Sequence, residues 1–66
     1  MYPRIRALRE DKDLSQKDLA EMLKVSQATY SRYENGKLDI PSENLIKLAQ
    51  IHKVSVDYLL GLSEKE

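Results

Sequence analysis

The sequence contains no cysteine. That excludes a disulfide framework and a thiolate site, and it suits a reducing, cytoplasmic setting. Net charge is also missing, because eleven Lys and Arg balance eleven Asp and Glu. Phosphate-binding proteins are usually basic, so this neutrality stands, at first sight, against a nucleic-acid partner. Long apolar runs are absent too: none approaches the ~20 residues of a membrane-spanning helix. The opening Met1-Tyr2-Pro3-Arg4-Ile5-Arg6 is charged and lacks the apolar segment of a secretory signal. With two Gly and one His, the chain has no phosphate-cradling Gly loop and no ligand set for a metal. No nucleophile or carboxylate arrangement accompanies the single His, so an enzyme is not expected, and neither is a cofactor.

Length is short as well. Sixty-six residues make one small domain. Mass scaling puts its folded surface at roughly 4,300 Å² against about 11,000 Å² unfolded, so about 60% is buried. A ligand pocket of ~300 Å³ would consume such a core, and no small-molecule ligand is expected.

What the chain does have is regular punctuation with helical spacing between the marks. Apolar residues recur every three or four positions. The pattern predicts five helices, at about 3–12, 16–23, 27–34, 43–52 and 56–60. Ser15 with Asp18 forms a capping box, and Ser26 and Ser55 are N-cap candidates. Pro3, and Pro41 within a residue or so, fit first turns. Asn35-Gly36 is a strong stop, and Gly61 suits the left-handed position after the last helix. Lys-Val-Ser occurs twice, at 24–26 and 53–55, too short a match to signal a repeat architecture.

Projection at 100° per residue sorts the faces. Helix 1 turns Ile5 and Leu8 inward, with Arg9 beside them. Helix 2 groups Leu19, Ala20, Met22 and Leu23. Helix 4 shows a Leu45, Leu48, Ala49 stripe flanked by Ile46 and Ile51, with His52 in its middle as a semi-buried side chain. Helix 3 differs. Thr29, Tyr30, Tyr33 and Glu34 occupy one half, the tyrosines suited to a core rather than to stacking on bases. Gln27, Ala28, Ser31 and Arg32 occupy the other. A solvated face more often carries Lys and Glu. Small residues beside an amide and a guanidinium suit a reader of base edges: Gln grips adenine with two bonds, Arg grips guanine with two, and Ala meets a thymine methyl.

Helix 2, a three-residue break and helix 3 are spaced as a helix-turn-helix. The residues Leu14-Ser15-Gln16-Lys17-Asp18-Leu19-Ala20, then Val25-Ser26, then Tyr30-Ser31-Arg32-Tyr33-Glu34-Asn35-Gly36-Lys37 closely resemble the Cro and phage-repressor-like family, often called the XRE family. The match continues through Leu45-Ile46-Lys47-Leu48-Ala49 and Val54-Ser55-Val56-Asp57-Tyr58-Leu59-Leu60-Gly61, covering Ile5 to Gly61. The resemblance implies a compact all-α, five-helix, lambda-repressor-like DNA-binding domain over residues 1–62, with a frayed tail at 63–66. The helix-turn-helix would span 16–34 and the recognition helix 27–34. The implied function is a sequence-specific regulator of transcription, a repressor that reads the major groove of double-stranded DNA as a homodimer on a two-fold operator.

Carried over position by position, the resemblance assigns base contacts to Gln27, Ala28 and Arg32. It assigns backbone contacts to Gln16, Lys17, Ser26, Ser31, Asn35 and Lys37. Arg9 and Glu34 match a structural ion pair between helix 1 and the end of helix 3. Ile46, Ile51, Tyr58 and Leu62 have the least obvious core duty and are candidate dimer contacts. Two departures stand out: Lys24 and Lys53 occupy turn positions where relatives often carry Gly, so mild strain is expected. Asp39 and Glu43 lie near a loop that is basic in several relatives. The competing reading is a helical protein-interaction module, antitoxin-like or an adaptor, with DNA binding secondary.

The neutrality resolves when charge is divided along the chain. Residues 24–37 carry Lys24, Arg32 and Lys37 against Glu34, for +2. Residues 38–66 carry Lys47, Lys53 and Lys65 against Asp39, Glu43, Asp57, Glu64 and Glu66, for −2. A mildly basic reading segment is cancelled by an acidic back half. This division predicts weak non-specific binding and little long-range steering.

Overall fold

Three serines start three helices in the same way. Ser15, Ser26 and Ser55 are extended, and their hydroxyls accept the backbone N–H of Asp18, Thr29 and Tyr58, each at 3.0 Å. Each bond satisfies a donor with no partner inside the helix. At Ser15 the box closes, because its own N–H donates to Asp18 Oδ2 at 2.9 Å. That backbone bond, with the Ser15 hydroxyl beside it, holds the Asp18 carboxyl below its ordinary pKa.

The computed structural model describes residue 2 and residues 4–65. Its helices are α1 (Ile5–Asp11), α2 (Gln16–Leu23), α3 (Gln27–Asn35), α4 (Ser42–His52) and α5 (Val56–Leu59). The fold is all-α, with no strand among the described residues. α1 is shorter than the predicted 3–12, and the Pro3 first-turn assignment lies outside the described residues. Arg4 sits at its N-cap position and makes no side-chain cap. Pro41 precedes α4 rather than opening it, with an extended ψ of 151°.

The helix ends are as uniform as the starts. Each helix is followed by a residue of positive φ: Asp13 (56°), Lys24 (60°), Gly36 (74°), Lys53 (57°) and Gly61 (78°). The next residue then donates to the carbonyl five positions back. These bonds are Leu14 to Arg9, Val25 to Ala20, Lys37 to Arg32, Val54 to Ala49 and Leu62 to Asp57, at 2.9–3.1 Å. Such closures satisfy carbonyls that the helix leaves open. The two Lys-Val-Ser copies are therefore one local structure used twice. Lys turns left-handed, Val closes the preceding helix and Ser caps the next.

A side chain with a Cβ is strained in that conformation, whereas glycine is not. Lys24→Gly and Lys53→Gly should each stabilise the domain by about 1 kcal/mol, raising its melting temperature by about 4–8 °C. Thermal melts followed by circular dichroism check this; a variant melting at or below its parent would refute the strain.

The core joins Ile5 of α1, Leu19, Ala20 and Leu23 of α2, Tyr30 and Tyr33 of α3, Ile40 of the loop before α4, Leu48 and Ala49 of α4, and Leu59 of α5. The two tyrosine rings meet edge to face, 6.3 Å apart and at 78°. This is the burial a chain of this mass predicts: the accessible surface is 4344 Å². Met22, grouped with the inner arc of helix 2, instead stands 47% exposed, at the arc's edge. Asn44 and His52 join the inner face of α4. Asn44 Nδ2 donates to the Tyr33 hydroxyl at 3.3 Å, giving two buried polar groups one shared bond. Neither ring nitrogen of His52 finds a partner among the described residues. Burial, helped by the charge of Lys12, lowers its pKa and keeps the imidazole neutral. Among the described residues, no helix is long and apolar enough to cross a membrane.

Candidate nucleic-acid interface

α3 is held by one face and offered by the other. Tyr30 and Tyr33 are buried, at 0% and 2% exposure, and fix both the rotation and the depth of the helix. On the opposite side Gln27, Ala28 and Arg32 are exposed and Ser31 is half-buried. Three candidate base contacts therefore share one solvent-facing arc. Among the described residues the ion pairs are Arg4–Glu64, Arg6–Glu10 and Arg9–Glu34, so Lys17, Lys24, Arg32 and Lys37 all carry uncommitted charge.

The candidate backbone contacts differ in exposure and in the bonds they already make. Lys17, Asn35 and Lys37 are exposed. Ser26 is engaged: besides accepting the Thr29 N–H, its hydroxyl donates to Thr29 Oγ1 at 2.9 Å. Ser31 accepts from Asn35 Nδ2 at 3.5 Å, the long limit of such a bond. Gln16 is half-buried, and its side-chain amide donates to Glu34 Oε1 at 3.1 Å. Sequence reading placed Gln16 at a phosphate and did not foresee this inward bond.

Arg9 and Glu34 come together tightly. The Arg9 side chain is 12% exposed and that of Glu34 only 2%. Arg9 Nε donates to Glu34 Oε2 at 2.7 Å and Nη2 to Oε1 at 3.2 Å, a two-pronged grip. Its remaining nitrogen, Nη1, donates to the Leu14 carbonyl at 2.9 Å, in the loop before α2. Burial alone would raise the pKa of Glu34. The bonds from Arg9 and Gln16, with the Tyr30 hydroxyl nearby, outweigh it, and the carboxyl lies below its ordinary range. Burial, and then the adjacent Glu34 carboxylate, push the Tyr30 hydroxyl far upward, although the hydroxyl closes no well-formed hydrogen bond.

The four candidate dimer contacts are unequal. Ile46 and Leu62 are 51% and 76% exposed, whereas Ile51 and Tyr58 are half-buried. The Arg4 guanidinium lies 4.1 Å from the centre of the Tyr58 ring and covers one side of it. Arg4 also donates to the carbonyls of Tyr58 and Ser63, at 3.2 and 2.6 Å, tying the start of the domain to its tail. Sequence reading gave Arg4 no role, since periodicity carries no sign of a partner 59 residues away.

Comparison with known proteins bears on this geometry directly. A family model described as helix-turn-helix matches residues 5–59. The chain belongs to the helix-turn-helix family. Within the matched residues α2 and α3 are consecutive helices joined by Lys24-Val25-Ser26. The domain is similar to YobD of Bacillus subtilis (strain 168), an uncharacterized helix-turn-helix-type transcriptional regulator, at 38% identity over 92% of this chain and 54% of that one. It spans about half the length of the curated relatives it matches. Among solved structures it is similar to the P22 c2 repressor crystallised with a synthetic operator: TM-score 0.82, 35% identity, 91% of each chain. It is also similar to SinR, the master regulator for biofilm formation, in complex with DNA: TM-score 0.74, 34% identity, 86% of this chain and 92% of that one. These relatives are transcriptional regulators rather than enzymes, and the fold is that of repressor DNA-binding domains.

Proposed function

We propose that this helix-turn-helix domain binds double-stranded DNA in a sequence-specific way, with α3 in the major groove, and regulates transcription by repression. One observation carries the reading. Gln27, Ala28 and Arg32 share an exposed arc on a helix whose other face is locked into the core by Tyr30 and Tyr33. Arg and Gln are the side chains best able to grip guanine and adenine edges, and Ala28 leaves room for approach. Lys17, Asn35 and Lys37 flank that arc as backbone contacts, and Gln16 joins them at the N-terminus of α2, where unpaired N–H groups favour a phosphate. Likeness to a repressor crystallised with a synthetic operator supports DNA as the partner.

One short helix reads only a few base pairs. Pairing two domains on a two-fold operator doubles the contacts, with half-sites about one DNA turn, ~34 Å, apart. The exposed Ile46 and Leu62 and the half-buried Ile51 and Tyr58 are the contacts assigned to that pairing. Repression follows from occupying the operator and blocking polymerase.

Selection of bound duplexes from a randomised pool, with a mass measurement of the complex, tests the proposal. A preferred site of two-fold symmetry bound by two chains is the expected outcome; no preferred sequence would end it. Lys37→Ala should weaken binding to all duplexes alike and reduce the slope of log affinity against log salt by about 1. An unchanged slope would remove Lys37 from the backbone contacts.

A further inference from the structure

The Arg9–Glu34 pair sits where three helices meet, but its bonds reach beyond the pair. Glu34 Oε1 accepts from both Arg9 and Gln16, at 3.2 and 3.1 Å. Gln16 is the first residue of α2, and Glu34 is next to the last residue of α3. The Leu14 carbonyl, held by Arg9 Nη1, lies just before the Ser15 cap of α2. One guanidinium therefore grips the end of α3 and the approach to α2, and the carboxylate between them grips the side chain that opens α2.

We propose that Arg9 and Glu34 are positioning residues for DNA binding, acting through Gln16 rather than only through stability. This rests on the reading of the domain as a DNA binder. A carboxylate only accepts hydrogen bonds, so the Gln16 amide must present its nitrogen inward. That choice orients the whole amide. Its second N–H and the Gln16 backbone N–H, which has no partner within the helix, are left for an approaching phosphate. Glu34 is itself immobilised by two bonds from Arg9, so the orientation is set before DNA arrives. Without the carboxylate the amide has three side-chain torsions to order on binding, and affinity falls by that cost.

A double-mutant cycle separates this from a structural role. Glu34→Gln keeps the size of the side chain and removes its charge. In the parent background it should lower affinity for the selected duplex about tenfold. In a Gln16→Ala background the same change should cost less than about twofold, because nothing remains to be positioned. Equal fold-losses in the two backgrounds would overturn the proposal. All affinities are taken where circular dichroism shows folded protein; should Glu34→Gln fail to fold, Arg9→Lys runs the same cycle.

The free domain provides a second test. The Gln16 side-chain amide protons should exchange with solvent more slowly than those of the exposed Gln27 and Gln50. Equal exchange would also overturn the proposal. The two failures are distinguishable: a parent that selects no duplex sinks the DNA-binding reading, whereas selective binding with additive losses sinks only the positioning role.

Discussion

Arg32→Ala should lower affinity for the selected duplex about 10- to 100-fold while shifting stability by no more than about 0.5 kcal/mol. Both halves of that expectation come from position. Arg32 is exposed, makes no ion pair among the described residues, and stands one turn along from Gln27 and Ala28. Its side chain makes no hydrogen bond within the described residues. A bidentate grip on guanine discriminates by about 1–3 kcal/mol against the wrong base, and removing it also relaxes the preference at that base pair. Gln27→Ala should act at a different base pair by a similar amount. The two losses should nearly add if the side chains read separate bases. Each domain of a two-fold complex loses its own contact, so the effect on the dimer is at the upper end of the range. Repeated duplex selection with each variant is the decisive measurement. A variant that binds more weakly but selects the parent's site unchanged would move its residue from base reading to the backbone.

The limits of sequence reading lie in side-chain commitments rather than in helices. Starts at Gln16, Gln27 and Val56 were legible because Ser in front of a periodic segment has one good use there, and the backbone obeys it. Ends were legible where Gly stood, at Gly36 and Gly61. Lys24 and Lys53 were placed by resemblance alone, since a lysine announces no left-handed turn. Asp13 was missed, although Asp tolerates that conformation better than most residues. In α4 the projection identified the stripe and His52 within it, but not Asn44. Asn44 is buried because Tyr33 has a hydroxyl beneath it, a fact of another helix that no local pattern carries.

The interface follows the same rule. The outer arc of α3 was legible because exposure is the complement of a core face already marked by Tyr30 and Tyr33. What Gln16 does with its amide, and the bond Ser26 adds to Thr29 Oγ1 beyond its cap, were not. Ser26 spends its hydroxyl on Thr29, and Gln16 gives its amide to Glu34. Both partners are decided by geometry after folding, three residues along in one case and eighteen in the other.

Glu34→Ala should destabilise the domain by about 3–5 kcal/mol, enough to leave a chain with a margin of a few kcal/mol largely unfolded. The loss is not the value of a bond. It is the cost of a guanidinium, 12% exposed, left with only the Leu14 carbonyl for company. Replacing both partners by apolar residues of similar size, Arg9→Met with Glu34→Leu, should restore folding to near the parent or above it, since neither charge then has to be desolvated. Urea titrations at pH 7 compare the three chains. The pH dependence gives a further check with a definite sign. Glu34 has a lowered pKa in the fold, so the stability it contributes is complete above its ordinary value of 4.5 and is lost as pH falls through the folded value. The double variant should lack that loss while keeping the one due to His52, whose lowered pKa starts to weaken the fold below about 6.5. It should also bind the selected duplex no better than a chain with Gln16 unheld. A stable double variant with full affinity would show that the pair serves the fold alone; a stable one with weakened affinity would separate the pair's service to Gln16 from its service to the core.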